Sequence, residues 1–273
     1  RGGYHSDTIL RIASGLVDSR MGPFEGKRIR SGTGSAAYRP LAIPNAAEVA
    51  YDISMIPVAL SDPVDFSPSG FRERVQRILA VPQGEDRTGP SDFDLDPDMG
   101  ARPPLDALAA ARPAAVLIPA IARPTVTLLL TQRTDHLAAH PGQIAFPGGK
   151  AEPHDADPLA TALREAREEI GLDSALVTPL GSLDRYLTGT GFRITPVIGL
   201  VSPELALTID SNEVAETFEV PLPFLMNPDN YQLHTRTIAG QERHFYAVPF
   251  EGRFIWGATA GILRNMHQRL FLP

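Results

Sequence analysis

Three glutamates follow one another at helical spacings in the segment REAREEIGL, residues 164–172. Glu165, Glu168 and Glu169 lie three and four positions apart, so a helix places their carboxylates on one patch. A hard divalent cation such as Mg²⁺ takes oxygen ligands and would offset the repulsion between them. The alternative is an ordinary charged helix face, in which Arg164 and Arg167 neutralise the acids. The helix alone favours that alternative, whereas the loop that precedes it favours the cation.

The same segment carries the signals of an amphipathic helix with defined ends. Asp157 and Pro158 are typical of a helix start, and Gly171 is typical of a helix end. One narrow apolar stripe should face a core, and we expect the glutamates to lie on the opposite, exposed face. The stripe consists of Leu159, Leu163, Ala166 and Ile170.

A glycine-rich loop, FPGG at residues 146–149, precedes the helix, and its backbone is free to approach a ligand. Loop and helix together resemble the Nudix box, in which a glycine-rich loop leads into a helix with the pattern REXXEEXG. Gly149 and Asp155 lie one position earlier than in the commonest form of the box, and Asp155 replaces a glutamate. The subgroup of Nudix proteins that cleaves coenzyme A has the same longer loop.

Similarity to this coenzyme A diphosphatase subgroup continues from Ala111 to the end of the chain. The resemblance implies an α/β fold, the Nudix-type α/β/α sandwich with a mixed β-sheet. A sandwich of this kind also agrees with the pattern of short apolar runs around one central and one terminal helix. The similar segments are residues 129–133 (LLTQR), 140–149 (HPGQIAFPGG), 188–197 (TGTGFRITPV), 212–222 (NEVAETFEVPL) and 254–260 (FIWGATA).

The resemblance implies hydrolysis of a diphosphate with Mg²⁺ or Mn²⁺ as cofactor. It implies metal ligation by the three glutamates and by the main-chain carbonyl of Gly149. The general base is left open between Glu168, Glu169 and Glu213, and Glu213 could equally be an acid at a helix start. Arg164 should orient the glutamates by ion pairing, and Asp155 is read mainly as a loop cap.

Substrate contacts are expected from the subgroup segments. Arg133 is the first candidate for the 3′-phosphate of coenzyme A, because a guanidinium binds phosphate in bidentate fashion. His140 and Gly148 should shape the pocket. The expected products are 3′,5′-ADP and 4′-phosphopantetheine or its acylated form. The alternatives are hydrolysis of another nucleoside diphosphate derivative, such as a nucleotide sugar or dinucleotide, a non-catalytic nucleotide-sensing domain, and a metal-free interaction module.

Composition limits the classes of partner. The chain has 273 residues, no cysteine and a net charge of −7, which argues against disulfides and against a nucleic-acid surface. No apolar run approaches the ~18 residues of a membrane span. We therefore expect a cytoplasmic enzyme with a small-molecule diphosphate substrate, and a homodimer is left open.

The chain divides into three parts. Residues 1–54 form an extension that we expect to be weakly structured or partly helical, and residues 55–110 contain a helix at 67–81 and a flexible acidic linker at 84–104. Residues 111–273 form the Nudix hydrolase domain. Its expected strands are 115–121, 125–131, 143–146, 180–187, 194–201, 231–238 and 244–249, followed by a helix at 258–270.

Overall fold

The structure is a computed structural model that describes residues 64–80, 91–95, 110–136, 142–238 and 241–272. The predictions for the extension 1–54 and for His140 lie outside these residues. No helix in the described ranges is both long enough and apolar enough to cross a membrane.

The described residues form four α-helices and eleven β-strands. The helices are α1 (Pro68–Leu79), α2 (Pro158–Ile170), α3 (Leu222–Leu225) and α4 (Ala258–Leu270). The strands are β1 (Arg112–Ile121), β2 (Thr127–Arg133), β3 (Ile144–Ala145), β4 (Gly148–Lys150), β5 (Val177–Ser182), β6 (Tyr186–Leu187), β7 (Phe192–Val201), β8 (Val214–Pro221), β9 (Gln232–Ile238), β10 (Gln241–Phe250) and β11 (Arg253–Trp256).

The main sheet is mixed, as predicted. Its central order is β3-β2-β1-β7-β5, and β4 pairs with β1, β6 with β7, and β8 with β2. The β1–β7 pair is parallel and runs from Arg112 beside Phe192 to Ile121 beside Val201. The remaining pairs of this sheet are antiparallel. Strand β1 is a nearly continuous apolar run because both of its faces are covered, a pattern typical of a central strand with a parallel neighbour.

The two faces of the main sheet are covered by different layers. On one face α2 packs against β1 through Ala162, Ala166 and Ile170. On the other face lie α1, α4 and a second, three-stranded sheet with the order β11-β10-β9. The predicted α/β/α arrangement with a mixed sheet is therefore confirmed.

Helix α1 was predicted at residues 67–81 and is present at Pro68–Leu79. The Ser67 hydroxyl accepts a hydrogen bond from the Gly70 N–H at 3.2 Å and caps its start. Phe71 and Val75 are buried in the same core as α4 and the main sheet. The helix is therefore part of that core, although the sequence assigned it to the segment before residue 111.

Residues 91–95, the described part of the acidic linker, are hydrogen-bonded to a distant part of the chain. Asp92 accepts hydrogen bonds from the Tyr186 hydroxyl at 2.7 Å and from the Gly189 N–H at 2.9 Å. These two bonds link Asp92 to β6 and to the loop between β6 and β7. The sequence analysis did not anticipate these contacts, because aspartate content does not reveal a distant hydrogen-bond partner; the predicted flexibility of the linker stays a prediction.

Residues 214–221 are not among the expected strands, yet they form strand β8, a full neighbour of β2. The segment ETFE within this strand has too few apolar residues to signal a strand, because β8 is only partly covered. Strand β11 was also not among the expected strands; its four residues, RFIW, are too few to show an alternating pattern. Trp256 is partly buried at the end of β11, with its ring 5.3 Å from that of Phe245.

Candidate active site

Helix α2 carries the glutamates, and its ends are where the sequence places them. The Asp157 carboxylate accepts a hydrogen bond from the Ala160 N–H at 2.8 Å, and Pro158 occupies the first turn. Gly171 ends the helix in the left-handed conformation at φ 66°, where a Cβ would be strained. Both signals are local, so the predicted boundaries are confirmed.

The glutamates do not share one exposed face. Glu165 is 3% exposed and Glu169 is 4% exposed, whereas the side chain of Glu168 is 54% exposed. The prediction of three solvated carboxylates is therefore wrong for two of them. The loop before the helix covers Glu165 and Glu169, and helical periodicity carries no information about such a cover. Leu163, by contrast, is only half-buried.

The glycine loop is in direct contact with these two buried acids. The Gly148 N–H donates a hydrogen bond to Glu169 Oε2 at 3.3 Å. A Cβ at position 149 would lie 1.6 Å from the Glu165 carboxyl carbon, so no residue larger than glycine fits without displacing that carboxylate. Strand β4 fixes the loop, because Gly149 pairs with Ala115 of β1.

Arg164 links two of the glutamates and is itself held in place. Its Nη1 donates to Glu165 Oε1 at 2.9 Å and to Glu168 Oε2 at 3.1 Å. Its Nε and Nη2 donate to the two oxygens of Asp155 at 3.0 and 2.9 Å. The predicted ion pairing by Arg164 is thus present in the structure.

Asp155 has two functions in this network. It accepts from the Glu152 N–H at 2.8 Å, as a loop cap does, and also from the Thr161 hydroxyl at 3.0 Å. Hydrogen bonding from Arg164 lowers the pKa of Asp155 to about 2. The contact between Thr161 and Asp155 could not be predicted from the sequence, because a threonine near a helix start is common and does not identify a partner.

Burial dominates the electrostatics of the two covered glutamates. It raises the pKa of Glu165 to about 7, against the opposing charge of Arg164. It also raises the pKa of Glu169 well above its ordinary value, and the charges of Glu165 and Glu213 act in the same direction. Two neighbouring carboxyl groups that resist ionisation when alone indicate a place where positive charge is needed.

The remaining predicted residues are only partly brought together. Arg133 lies at the end of β2, is 2% exposed, and its charge partly counteracts the raised pKa of Glu169. Glu213 lies directly before β8, not at a helix start, and its carbonyl accepts from the Thr134 N–H at 3.1 Å. The predicted contacts of Arg133 and His140 with substrate stay predictions, because Arg133 is buried and His140 is outside the described residues.

The donors suit a hard divalent cation. Carboxylate oxygens are its preferred ligands, and Glu165 Oε2 is buried without a hydrogen-bond partner. Among the described residues no three Asp, Glu or His side chains converge as a complete metal site, and the side chain of Glu168 is 54% exposed and paired with Arg164. Glu165 and Glu169 therefore form the buried part of the candidate site, and Glu168 is its exposed member.

Comparison with known proteins identifies similar chains. The family model described as NUDIX domain matches residues 111–238. A protein described as uncharacterized Nudix hydrolase NudL, from Yersinia enterocolitica serotype O:8, is 43% identical over 157 residues, which cover 58% of this chain and 80% of that protein. The NudL protein of Yersinia pestis (strain Pestoides F) is 43% identical over 159 residues, with the same shares of both chains. A solved Nudix hydrolase from M. smegmatis, RenU, is 24% identical, covers 41% of this chain and 72% of its own, and has a TM-score of 0.35.

Proposed function

The chain belongs to the Nudix hydrolase family, and from that premise we propose that it hydrolyses the diphosphate of coenzyme A or of its acyl or oxidised derivatives. The products are 3′,5′-ADP and 4′-phosphopantetheine or its acylated form. The observation that carries the hydrolase assignment is the pair of buried carboxylates, Glu165 and Glu169, in contact with the Gly148–149 backbone. The choice of coenzyme A rests on the subgroup segments in the sequence.

Mg²⁺ or Mn²⁺ is the proposed cofactor. Glu165 and Glu169 would hold it, with Glu168 and the carbonyl of Gly149 as further ligands. When bound, such an ion neutralises the diphosphate oxygens and lowers the pKa of a coordinated water molecule. The chain itself supplies rigidity, because Arg164 is fixed by Asp155 and in turn fixes the carboxylates of Glu165 and Glu168.

A proton acceptor is needed for the attacking water, and we assign this function to Glu213. Glu213 is half-buried and close enough to raise the pKa of both Glu165 and Glu169. Glu168 and Glu169 are the competing candidates. In wild type, kcat should rise with pH as the base loses its proton. Absence of this rise in Glu213→Gln, together with its presence in Glu168→Gln, would support this choice.

Product analysis tests the substrate. Purified full-length protein with Mg²⁺ is given coenzyme A, dephospho-coenzyme A, a nucleotide sugar and a dinucleotide in separate reactions, and the products are identified by mass spectrometry. We expect 3′,5′-ADP from coenzyme A and a lower kcat/KM for dephospho-coenzyme A, which lacks the 3′-phosphate. Equal use of both would support the alternative of a broader nucleoside diphosphate hydrolase.

A matched variant separates catalysis from sensing. Glu169→Gln should bind coenzyme A without converting it, because it retains the side-chain shape and removes one charge. If the wild-type protein binds coenzyme A but converts none of the four compounds, the non-catalytic nucleotide-sensing alternative replaces the hydrolase proposal.

A further inference from the structure

Strand β9 lies at the edge of the three-stranded sheet. Within the described residues its only neighbour is β10. The Gly257 N–H donates to the Tyr246 carbonyl at 3.3 Å, so the backbone of Tyr246 points towards β11. In antiparallel strands, successive residues direct their backbone N–H and C=O groups to opposite sides. Phe245 and its partner His234 are therefore a hydrogen-bonded pair between β10 and β9. The remaining backbone groups of β9 point outwards, and they belong to Leu233, Thr235 and Thr237.

This edge has fewer of the features by which strands avoid pairing with other chains than the edges of the main sheet, and Arg236 is its one residue that is always charged. Strand β5 carries Pro179 and a register shift between Pro179 and Gly181, and β8 carries Glu216, Glu219 and Pro221. Strand β9 reads QLHTRTI, with no proline, lysine or acid. Leu233 on this strand is 58% exposed. A weakly protected edge of seven residues with an exposed leucine is a template for another strand.

We propose that β9 pairs in antiparallel fashion with β9 of a second copy of this chain, across a two-fold axis at Thr235. The pairing joins two three-stranded sheets into one of six strands. Thr235 then faces Thr235 of the partner subunit, and Leu233 faces Thr237 of the partner subunit. All three outward-facing residues of each copy are used, which gives about six hydrogen bonds, two for each pair.

The register follows from charge and strand length. A two-fold axis at Arg236 would place two arginines directly opposite each other, which is destabilising. An axis at His234 would place Thr237 opposite residue 231 of the other copy, which lies outside β9. The axis at Thr235 avoids both problems and creates a favourable threonine pair.

A cluster of aromatic side chains on one face of the same sheet supports a second copy as the occupant. The ring of His234 lies 5.7 Å from that of Phe245 and 5.2 Å from that of Phe254, and Phe254 is an exposed large hydrophobic residue. Aromatic residues and arginine are enriched in protein interfaces. Strand pairing at Thr235 brings the clusters of the two copies side by side.

A cysteine scan tests the register directly, because the chain contains no cysteine. Under mild oxidation Thr235→Cys should give a disulfide-linked dimer, since paired residues have Cα atoms about 5.5 Å apart. Leu233→Cys is the matched control and should give little dimer, because the two copies of position 233 are four residues apart, roughly 13 Å. The double variant Leu233→Cys/Thr237→Cys should crosslink again. Equal crosslinking of both single variants, or none at Thr235→Cys, overturns the proposal.

Self-association of the full chain is measured by sedimentation over a wide range of concentrations. Thr235→Pro removes an outward N–H that is absent from the β9–β10 ladder, and it should weaken dimerisation at least ~tenfold. Thr235→Val keeps that N–H and should leave the dimer intact. If circular dichroism shows that the proline variant is unfolded, Leu233→Lys replaces it, because an exposed lysine blocks an edge. A wild-type monomer at all concentrations, or no effect of the blocking variant, overturns the proposal.

Discussion

Replacing Glu165 with glutamine should stabilise the metal-free protein at and above neutral pH. The side chain is 3% exposed, and burial raises its pKa from 4.5 to about 7. At ~1.4 kcal/mol for each pH unit, this difference in pKa corresponds to ~3.5 kcal/mol. Wild-type protein therefore loses up to ~3.5 kcal/mol of stability on ionising this group, whereas the variant has no proton to lose.

The direction of the effect follows from proton linkage. The folded protein holds the Glu165 proton more tightly than the unfolded chain does, so this contribution is complete below pH 4.5. It is lost as the pH rises through about 7. His267 acts in the opposite direction, because burial lowers its pKa. Its effect is common to wild type and variant and cancels in their difference.

The assay is urea unfolding in a chelator at several pH values between 5 and 8. The free energy of unfolding of Glu165→Gln, minus that of wild type, should increase with pH. Glu168→Gln is the control on the same helix, and its curve should run parallel to wild type because its side chain is 54% exposed. Parallel curves for Glu165→Gln would refute the view that Glu165 is buried and hard to ionise.

At pH 8 a divalent cation should make wild type more stable than Glu165→Gln, which reverses their order without metal. At a concentration of Mn²⁺ about one thousand times Kd, wild type should gain ~4.1 kcal/mol. Glu165→Gln should gain much less, because it lacks a charged ligand.

Three further outcomes are expected. Glu169→Gln should abolish turnover and leave the circular dichroism spectrum unchanged; an active or unfolded variant would contradict its assigned place in the site. Ile170→Ala should lower the free energy of unfolding by roughly 2–5 kcal/mol, because a fully buried side chain leaves a cavity, and the half-buried Leu163 should lose less when replaced by alanine. Equal losses in urea would show that the helix is rotated. Gly149→Ala should remove most of the stabilisation by Mn²⁺, since its Cβ would displace the Glu165 carboxylate; an unchanged thermal shift with metal would contradict this.

The features predicted correctly from the sequence are those set by nearby residues. The cap at Asp157 and the stop at Gly171 act within one helical turn, so the bounds of α2 can be read directly. The longer loop also left a local trace, since Asp155 is displaced by one position and still reaches Arg164 with two hydrogen bonds.

The features that were missed depend on contacts between distant segments. Glu165 and Glu169 lie on the polar side of the helix, and their burial comes from the loop at Gly148 and Gly149. Periodicity assigns any acid to solvent, so it could not reveal this cover. Asp92 is likewise fixed by residues almost one hundred positions away. Strand β8 was not predicted because its glutamates break the alternation of apolar and polar residues. Its pairing with the distant strand β2 leaves no signal in the local sequence.

The position of α1 has a practical consequence for anyone who prepares a shorter fragment. The match to the family begins at residue 111, yet Phe71 and Val75 of α1 are completely enclosed by the core. A fragment that begins at residue 111 would expose an apolar groove on α4 and β5, where α1 packs in the longer chain. A fragment chosen from the family match alone should therefore aggregate. A fragment that begins before Asp65 keeps α1 and therefore keeps the groove filled.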